Sequence, residues 1–412
     1  MDQQPVTVPR SGRLIDVFDV LKVFLKLGLT SFGGPIAHLG YFRREFVENR
    51  RWLDDEAYTD LVALCQFLPG PASSQVGFSI GLMRAGWLGG LAAWCGFTLP
   101  SVLLLIGFAA LAPDLGNAAG QGLIHGLKLV AVAVVAQAVW DMARRLCPDR
   151  QRAAIALISI AMLAVLTTVY AQLLVIALGA LLGIVFCRTG DAQRGSEPHP
   201  ALTAMRISPV IGWAALALFF VILLGLPALL TLHNTRGIQM FDAFYRSGAL
   251  VFGGGHVVLP LLQQQTVATG WIAPSDFLAG YGAAQAVPGP LFTFAAFLGW
   301  MMPEAPRQWV GAALATAGIF LPGLLLVIAA LPHWQSLRSR PATAAMLSGV
   351  NAAVVGLLAT ALYSPVWVTA VLSKADFAVA AVCFLLLTRW KVPPFAVVVV
   401  GALAGIAEFA LR

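Results

Sequence analysis

The chain has 412 residues, a mean hydropathy of +0.83 and only 11% charged residues. A soluble domain carries roughly 25% charged residues, so the composition excludes an ordinary soluble protein and indicates a membrane protein. The net charge of +7 would suit nucleic acid in a soluble chain. Here the arginines cluster in short loops, which is typical of residues that orient a protein in the bilayer, and we expect no nucleic-acid partner.

Two apolar stretches near the N-terminus each contain a helix breaker. Phe32-Gly33-Gly34-Pro35 interrupts the first stretch, and Pro69-Gly70-Pro71 interrupts the second. Glycine and proline disfavour helix interiors for entropic and steric reasons. Four arginines lie between the stretches, within 43–51, and Arg84 follows the second. Because arginine-rich loops are expected in the cytoplasm, we favour two broken or re-entrant elements over two tilted complete spans.

Plain apolar spans follow in the rest of the first half. They are predicted at about 87–112, 121–140, 152–170 and 171–187, and each approaches the ~20 residues that cross a bilayer. A polar linker at 191–207, expected in the cytoplasm, leads to an extra span at 208–232. The polar N-terminus lacks a signal-peptide pattern and is expected in the cytoplasm. These features predict a multi-pass protein of the cytoplasmic membrane.

The second half repeats the first. Phe252-Gly253-Gly254-Gly255 follows Phe32 by 220 positions, and Pro288-Gly289-Pro290 follows Pro69 by 219. The order of the motifs is kept, so we interpret 14–190 and 240–411 as duplicated domains. The single extra span between them turns the second copy over, and its 262–276 loop lacks lysine and arginine. This predicts an all-α protein with an inverted-topology repeat, which is typical of secondary transporters.

The four breaks are the predicted substrate-binding site. A helix that restarts inside a membrane presents unpaired N–H groups and partial positive charge, which attract anions. Hydroxyl and amide side chains join these donors. The residues assigned to the breaks are Phe32, Gly33, Gly34, Gln66, Pro69, Gly70, Pro71, Ser73, Ser74, Gly253, Gly254, Gln285, Pro288, Gly289, Pro290 and Thr293. The alternative is that Pro-Gly-Pro only kinks a helix.

Ionisable residues inside the apolar stretches are further candidates. Lys26 and Arg246 each precede a Phe-Gly-Gly motif by six residues, and a symmetric pair of cations suits a divalent oxyanion. The alternative is that both side chains reach the membrane surface. Asp60 is a weak candidate for proton coupling. His38 and His256 are interpreted as packing residues, and the scattered cysteines predict no metal or cofactor.

One segment has the form of a catalytic motif. Gly77-Phe78-Ser79-Ile80-Gly81 matches the G-x-S-x-G pattern of a serine nucleophile elbow, which needs a strand-to-helix turn and a histidine partner. Here it lies in an apolar segment, where small residues usually serve packing. Leu298 takes the place of Ser79 in the second copy. We therefore predict no catalytic residues and keep an intramembrane serine hydrolase only as a remote alternative.

The same motifs resemble a known family. The Phe-Gly-Gly-Pro motif with its arginine-rich loop, followed by Gln66-Phe67-Leu68-Pro69-Gly70-Pro71, resembles the first domain of the bacterial chromate transporter family. Phe252 to His256 with Val287 to Pro290 resembles the second domain. The resemblance implies a long-chain, two-domain member that moves chromate out of the cytoplasm, driven by the membrane potential or the proton gradient, and so gives chromate resistance. Sulfate transport and an anion channel remain alternatives, and a homodimer is left open.

Overall fold

The structure, a computed structural model, describes residues 14–112, 117–166, 168, 170–187, 207–302, 307–334, 336 and 340–411. The regular structure in these residues is helical, which confirms the predicted all-α class. The helices that are long and apolar enough to cross a membrane are Ala72–Leu111, Ala118–Leu146, Pro209–Leu232, Gln308–His333 and Pro341–Ala370. The predicted linker 191–207 lies, apart from Ile207, outside the described residues.

The first half starts with two broken segments, as its glycine and proline motifs predict. The bounds of their helices are α1 Leu14–Thr30, α2 Gly34–Phe42 with a π-helical extension Arg43–Asn49, α3 Asp55–Phe67 and α4 Ala72–Leu111. Helix α4 leaves helical geometry at Ala85 and Gly86. It folds back there, because the backbones of Gly81 and Gly89 lie in direct contact. The second broken segment is therefore α3 with the first part of α4.

Both broken segments begin and end at one end of the molecule. Arg50, after α2, lies 3.3 Å from Asp19 near the start of α1. Arg84, at the bend of α4, lies 3.9 Å from Asp16. The guanidinium groups of both arginines lie over the Trp52 ring, at 5.4 and 5.2 Å from its centroid. Each broken segment therefore leaves this end of the molecule and returns to it. This is the arrangement of two hairpins and not of two complete spans.

The remaining helices of the first half lie close to the predicted spans. They are α5 Ala118–Leu146, α6 Arg150–Val165 and α7 Ala171–Phe186, followed by the extra helix α8 Pro209–Leu232. Side chains define three of the starts: Asn117 caps α5, Asp149 caps α6 and Ser208 caps α8 by accepting backbone N–H bonds, a common way to satisfy the first amides of a helix. Only 11% of the apolar window of α8 is buried, as expected of a helix whose surface faces lipid.

The second half follows the same plan. Its helices are α9 Arg236–Ala249, α10 Val258–Thr266, α11 Pro274–Ala284, α12 Phe294–Met301, α13 Gln308–Ala330, α14 Pro341–Ala361, α15 Val368–Ala370, α16 Lys374–Thr388 and α17 Pro394–Leu411. Arg236, at the start of α9, stacks at 4.3 Å from the ring centroid of Trp271, between α10 and α11. The first broken segment of this half therefore also returns to the end at which it began.

The two halves pack through equivalent pairs of helices, each pair with one helix from each half. On α5, Gly126 lies against Gly401 of α17, with their backbones in direct contact. On α14, Gly349 lies against Gly179 and Gly183 of α7 in the same way. Small residues let membrane helices approach closely. Since α14 repeats α5 and α17 repeats α7, one contact is made twice, as a two-fold relation between homologous halves requires. The inverted direction of the repeat stays a prediction.

Candidate functional site

The four breaks of the chain pair with one another across the halves. The Gly70 N–H donates to the carbonyl of Val251 at 2.8 Å, and the Gly289 N–H donates to the carbonyl of Ser31 at 2.9 Å. Val251 and Ser31 stand directly before Phe252 and Phe32. The Pro-Gly-Pro break of each half is thus bonded to the Phe-Gly-Gly break of the other. Irregular backbone at membrane depth is tolerated only where protein or a cavity covers it, and here each break covers another.

Gly70 and Gly289 have conformations that favour glycine. Their φ angles are +117° and +101°, in a region that L side chains rarely adopt. A Cβ at Gly70 would stand 3.0 Å from the Cα of Gly323, and a Cβ at Gly289 would overlap the hydroxyl of Ser101. A side chain at either position would therefore collide with a helix of the other half.

The carbonyl groups of the two Pro-Gly-Pro breaks are satisfied by side chains. The amide of Gln75 donates to the carbonyl of Pro69 at 3.0 Å and to that of Gly323 at 2.9 Å. The hydroxyl of Ser101 donates to the carbonyl of Pro288. The carbonyls of Pro69 and Pro288 are therefore not available to a ligand.

Unpaired polar atoms concentrate around the breaks. Helix α4 begins after Pro71 with no side-chain cap, so its first amides have no partner from a capping side chain. Buried polar atoms without a hydrogen-bond partner among the described residues include Ser31 Oγ, Ser74 Oγ, Gln75 Oε1, Thr98 Oγ1 and Gln285 Nε2. Buried polar groups are nearly always paired in folded proteins. This cluster therefore has the character of a binding site for a polar guest.

His38 connects the breaks of the two halves. Its Nε2 lies 3.2 Å from the Ser31 carbonyl, which also accepts from Gly289, and its Nδ1 lies 3.5 Å from the hydroxyl of Ser73. The ring is fully buried. The path from Gly289 through Ser31 and His38 to Ser73 joins the Pro-Gly-Pro break of the second half to the helix start of the first.

His256 has a related place in the second half. Its Nδ1 lies 2.8 Å from the hydroxyl of Tyr281. The interpretation of His38 and His256 as simple packing residues missed these connections. The available signal was their position, since each follows the glycine pair of a break within four residues.

The other predicted site residues are distributed unevenly. Ser73 contacts His38 at the breaks, whereas Ser74 and Gln285 have buried polar atoms without a described partner. The hydroxyl of Thr293 donates to the carbonyl of Pro290 at 2.7 Å. Phe32 packs on Phe395 with 5.7 Å between ring centroids. Four of the predicted site residues are exposed: Gln66, Gly33, Gly253 and Gly254.

The predicted ionisable candidates are not joined to the breaks by any contact described in residues 14–112 or 207–302. Lys26 is exposed on α1 and interacts electrostatically with Glu45. Arg246 forms an ion pair with Asp242 one turn earlier, with 2.9 Å between Nε and Oδ1. Asp60 is half-buried on α3. The charge of Arg246 is thus partly compensated within its own helix.

Ser79 does not have the setting of a catalytic nucleophile. It lies inside helix α4, and its hydroxyl donates to the backbone carbonyl of Gln75 at 2.8 Å. A nucleophile elbow requires a strand-to-helix turn, and the described part of the chain has no strand at this position. The G-x-S-x-G pattern is here a helical sequence with small residues at close contacts, such as Gly77 against Phe24 and Gly81 against Gly89.

Comparison with models of known protein families assigns the chain to a family. The family model described as "Chromate transporter" matches residues 18–184 and again residues 238–406. The chain belongs to the chromate transporter family. The two matched regions contain both sets of breaks, and they confirm the resemblance and the two homologous halves.

Individual relatives cover almost the whole chain. It is 28% identical to a chromate transport protein of Pseudomonas aeruginosa over 93% of this chain and 90% of the relative. It is 27% identical to a probable chromate transport protein of Synechococcus elongatus over 93% of both chains, and 23% identical to an uncharacterized transporter of Methanocaldococcus jannaschii over 82% of both. No solved structure matches the chain.

Proposed function

We propose that the protein is a secondary transporter that exports chromate, a tetrahedral dianion, from the cytoplasm and thereby gives chromate resistance. The observation that carries the proposal is the crossing of the breaks, where Gly70 bonds to Val251 and Gly289 bonds to Ser31. Two relatives are named as chromate transport proteins, one of them as probable, and this supports chromate as the substrate. Export, resistance and a location in the bacterial cytoplasmic membrane are parts of the same proposal.

The chemistry of the crossing favours an oxyanion over a cation. Backbone amides at the start of α4, the Ser74 hydroxyl and the Gln285 amide can donate to a ligand, whereas the carbonyls of Pro69 and Pro288 are already engaged. Gln75 Oε1 is an unpaired acceptor beside these donors. The start of a helix adds partial positive charge. Chromate offers four oxygen atoms as acceptors, so it can satisfy several buried donors at once without a paired cation.

The pairing of the halves suits alternating access. Each Pro-Gly-Pro break is held by a single backbone hydrogen bond to the other half, and the two bonds are equivalent. In transporters built from repeats, one repeat moves against the other around a central site. A substrate held between α4 of the first half and Gln285 of the second would lie where such a movement changes the access.

Flux into inverted membrane vesicles tests this function. Radioactive chromate should accumulate in vesicles that contain the protein when the membrane is energised, and not in vesicles without it. Excess sulfate should compete only weakly. Accumulation of sulfate instead of chromate would assign the alternative dianion, and flux that never exceeds equilibration would show a channel; either result contradicts the proposal.

A further inference from the structure

A second polar cluster lies beside the start of α5. It lines a cavity of about 310 Å³ formed by Gln121, Ile124, His125, Lys128, Leu372, Asp376 and Phe409. Its residues come from α5, α16 and α17 and the segment before α16. His125 lies seven residues into α5, which is about 10 Å along a helix axis. The cavity therefore reaches from one end of the molecule into a helix long enough to span the membrane.

His125, Asp376 and Glu408 meet at the side of this cavity. Their ligating atoms lie within 4.8 Å of one another, and His125 Nε2 is 2.6 Å from Asp376 Oδ1. Asp376 is fully buried, and its Oδ2 accepts the backbone N–H groups of Leu372 and Ser373. With Nε2–H donating to this carboxylate, the free lone pair of His125 is on Nδ1, which is where a proton can bind.

The duplicated fold does not require these groups. The position of His125 is occupied by Ser348 in the second half, 223 residues later, and that of Lys128 by Asn351. The position of Glu408 is occupied by Phe186 in the first half, 222 residues earlier. The same helix pairing thus forms once with ionisable groups and once without them. Ionisable residues inside membrane helices are costly and are usually functional.

We propose that His125, Asp376 and Glu408 form a proton-binding site that couples proton movement to transport, with the adjoining cavity as its path to water. The inference rests on the proposed function, since it assigns the coupling step of the same transporter. One proton binds at His125 Nδ1, the resulting imidazolium is held by the Asp376 carboxylate, and release restores neutral histidine. Glu408 accepts or returns the proton within the cluster.

Other charged groups beside the site favour a single proton over a divalent metal ion. Lys128 lines the same cavity and interacts with Asp376 and with Asp276 of α11, and Lys374 stands at the start of α16. A cation beside the cluster repels a divalent metal ion more strongly than a single proton, because the repulsion scales with the charge of the guest. The 2.6 Å contact between His125 and Asp376 is a direct hydrogen bond, and two ligands around a zinc ion would be held farther apart than this.

Reconstituted liposomes separate coupling from transport. The first assay is exchange of radioactive chromate for unlabelled chromate at equal pH on both sides, and the second is accumulation driven by a pH gradient. A pH-sensitive dye inside the liposomes reports proton movement when chromate is added. The variants are His125→Gln and Glu408→Gln, with Ser348→Ala as the control at the position equivalent to His125, where the Ser348 hydroxyl only bonds to the carbonyl of Ala344.

The expected result is that both variants keep exchange but lose accumulation and the dye signal, while Ser348→Ala keeps all three. Accumulation by His125→Gln equal to that of the unmodified protein would overturn the inference. So would loss of exchange in both variants with unchanged thermal stability, because the cluster would then act in binding and not in coupling. A rise in melting temperature with Zn²⁺ that His125→Gln abolishes would make the cluster a metal site. Absence of exchange in the unmodified protein would instead refute the proposed function.

Discussion

The two halves of the molecule share their backbone contacts and differ in their polar side chains. Gly28 lies against Phe97 in the first half, and Gly248 lies against Ile319 in the second, at equivalent positions. Where Ser101 packs on Gly289, however, Gly323 packs on Gly70. The close approaches define the fold, because they depend on shape, and both copies keep them. The polar groups are free to diverge, because each is needed at only one place in the assembled site.

The divergence produces one asymmetric site from two similar scaffolds. The Ser74 hydroxyl has no partner among the described residues, whereas the equivalent Thr293 hydroxyl bonds to the carbonyl of Pro290. Gln66 is exposed, whereas the equivalent Gln285 has a buried amide nitrogen without a partner. The first half thus contributes the helix start of α4, and the second contributes an amide donor.

The largest effect is expected from the contacts that both halves share. Gly70→Ala should destabilise the protein by about 1–3 kcal/mol from backbone strain alone, because the φ of Gly70 is +117° and its Cβ would stand 3.0 Å from Gly323. Fluorescence-detected size exclusion after heating measures this loss. Gly40→Ala is the control, since a Cβ at this position of α2 meets nothing within 4 Å. Equal melting temperatures for the two variants would show that the crossing is not tightly packed.

The second-largest effect is expected at Gln285, in contrast to the equivalent Gln66 of the first half. Gln285→Leu removes a buried donor and should weaken chromate binding about tenfold or more, on the scale of a hydrogen bond to a charged group. Gln66→Leu should have a much smaller effect, because Gln66 is exposed at the end of α3. Apparent affinities from chromate exchange in liposomes compare them. Similar losses in both variants would contradict the asymmetric site.

A smaller effect is expected at the start of α4. Ser74→Ala removes a buried hydroxyl that has no described partner, and it should weaken chromate binding by about 0.5–1.5 kcal/mol. Ser79→Ala is a matched control on the same helix, because the Ser79 hydroxyl only donates to the Gln75 carbonyl. The same exchange assay applies. If Ser79→Ala reduced affinity as strongly as Ser74→Ala, general damage to α4 would explain both results.

The smallest effect concerns the cation of the second half. Arg246→Gln should change chromate affinity by less than about 1 kcal/mol, because the guanidinium is already paired with Asp242 and such partly exposed pairs contribute little. Isothermal titration of the purified variant with chromate gives the change. A loss as large as that of Gln285→Leu would place Arg246 at the substrate and would require its ion pair to open.

Much of the fold is predictable from this sequence, because the repeat and the glycine and proline motifs are local signals. The breaks at Gly33 and Gly70, the extra helix at Pro209–Leu232 and the return of the first segments toward Arg84 all follow from such signals. The pairing of Gly70 with Val251 could not be predicted, because it joins residues far apart in sequence and depends on how the halves pack. The partnership of His125 with Asp376, 251 positions apart, is hidden for the same reason.

The role of the two cations at the substrate stays a prediction, and the structure adds their local setting. Lys26 and Arg246 stand out in apolar sequence, but one is exposed and the other is paired with Asp242 within its own helix. The donors that remain unpaired at the crossing are uncharged and include Ser31, Ser74 and Gln285. Their significance depends on burial without a partner, which a single sequence does not reveal.

We propose above all that the dianion binds where the breaks of the two halves cross. The most direct measurement is an experimental structure with selenate, a tetrahedral dianion whose selenium atom is located by anomalous scattering. We predict one strong peak beside the start of α4, within hydrogen-bonding distance of Ser74 and near Gln285. A peak only in the cavity beside Lys128, or at Lys26 on the surface of α1, would contradict it.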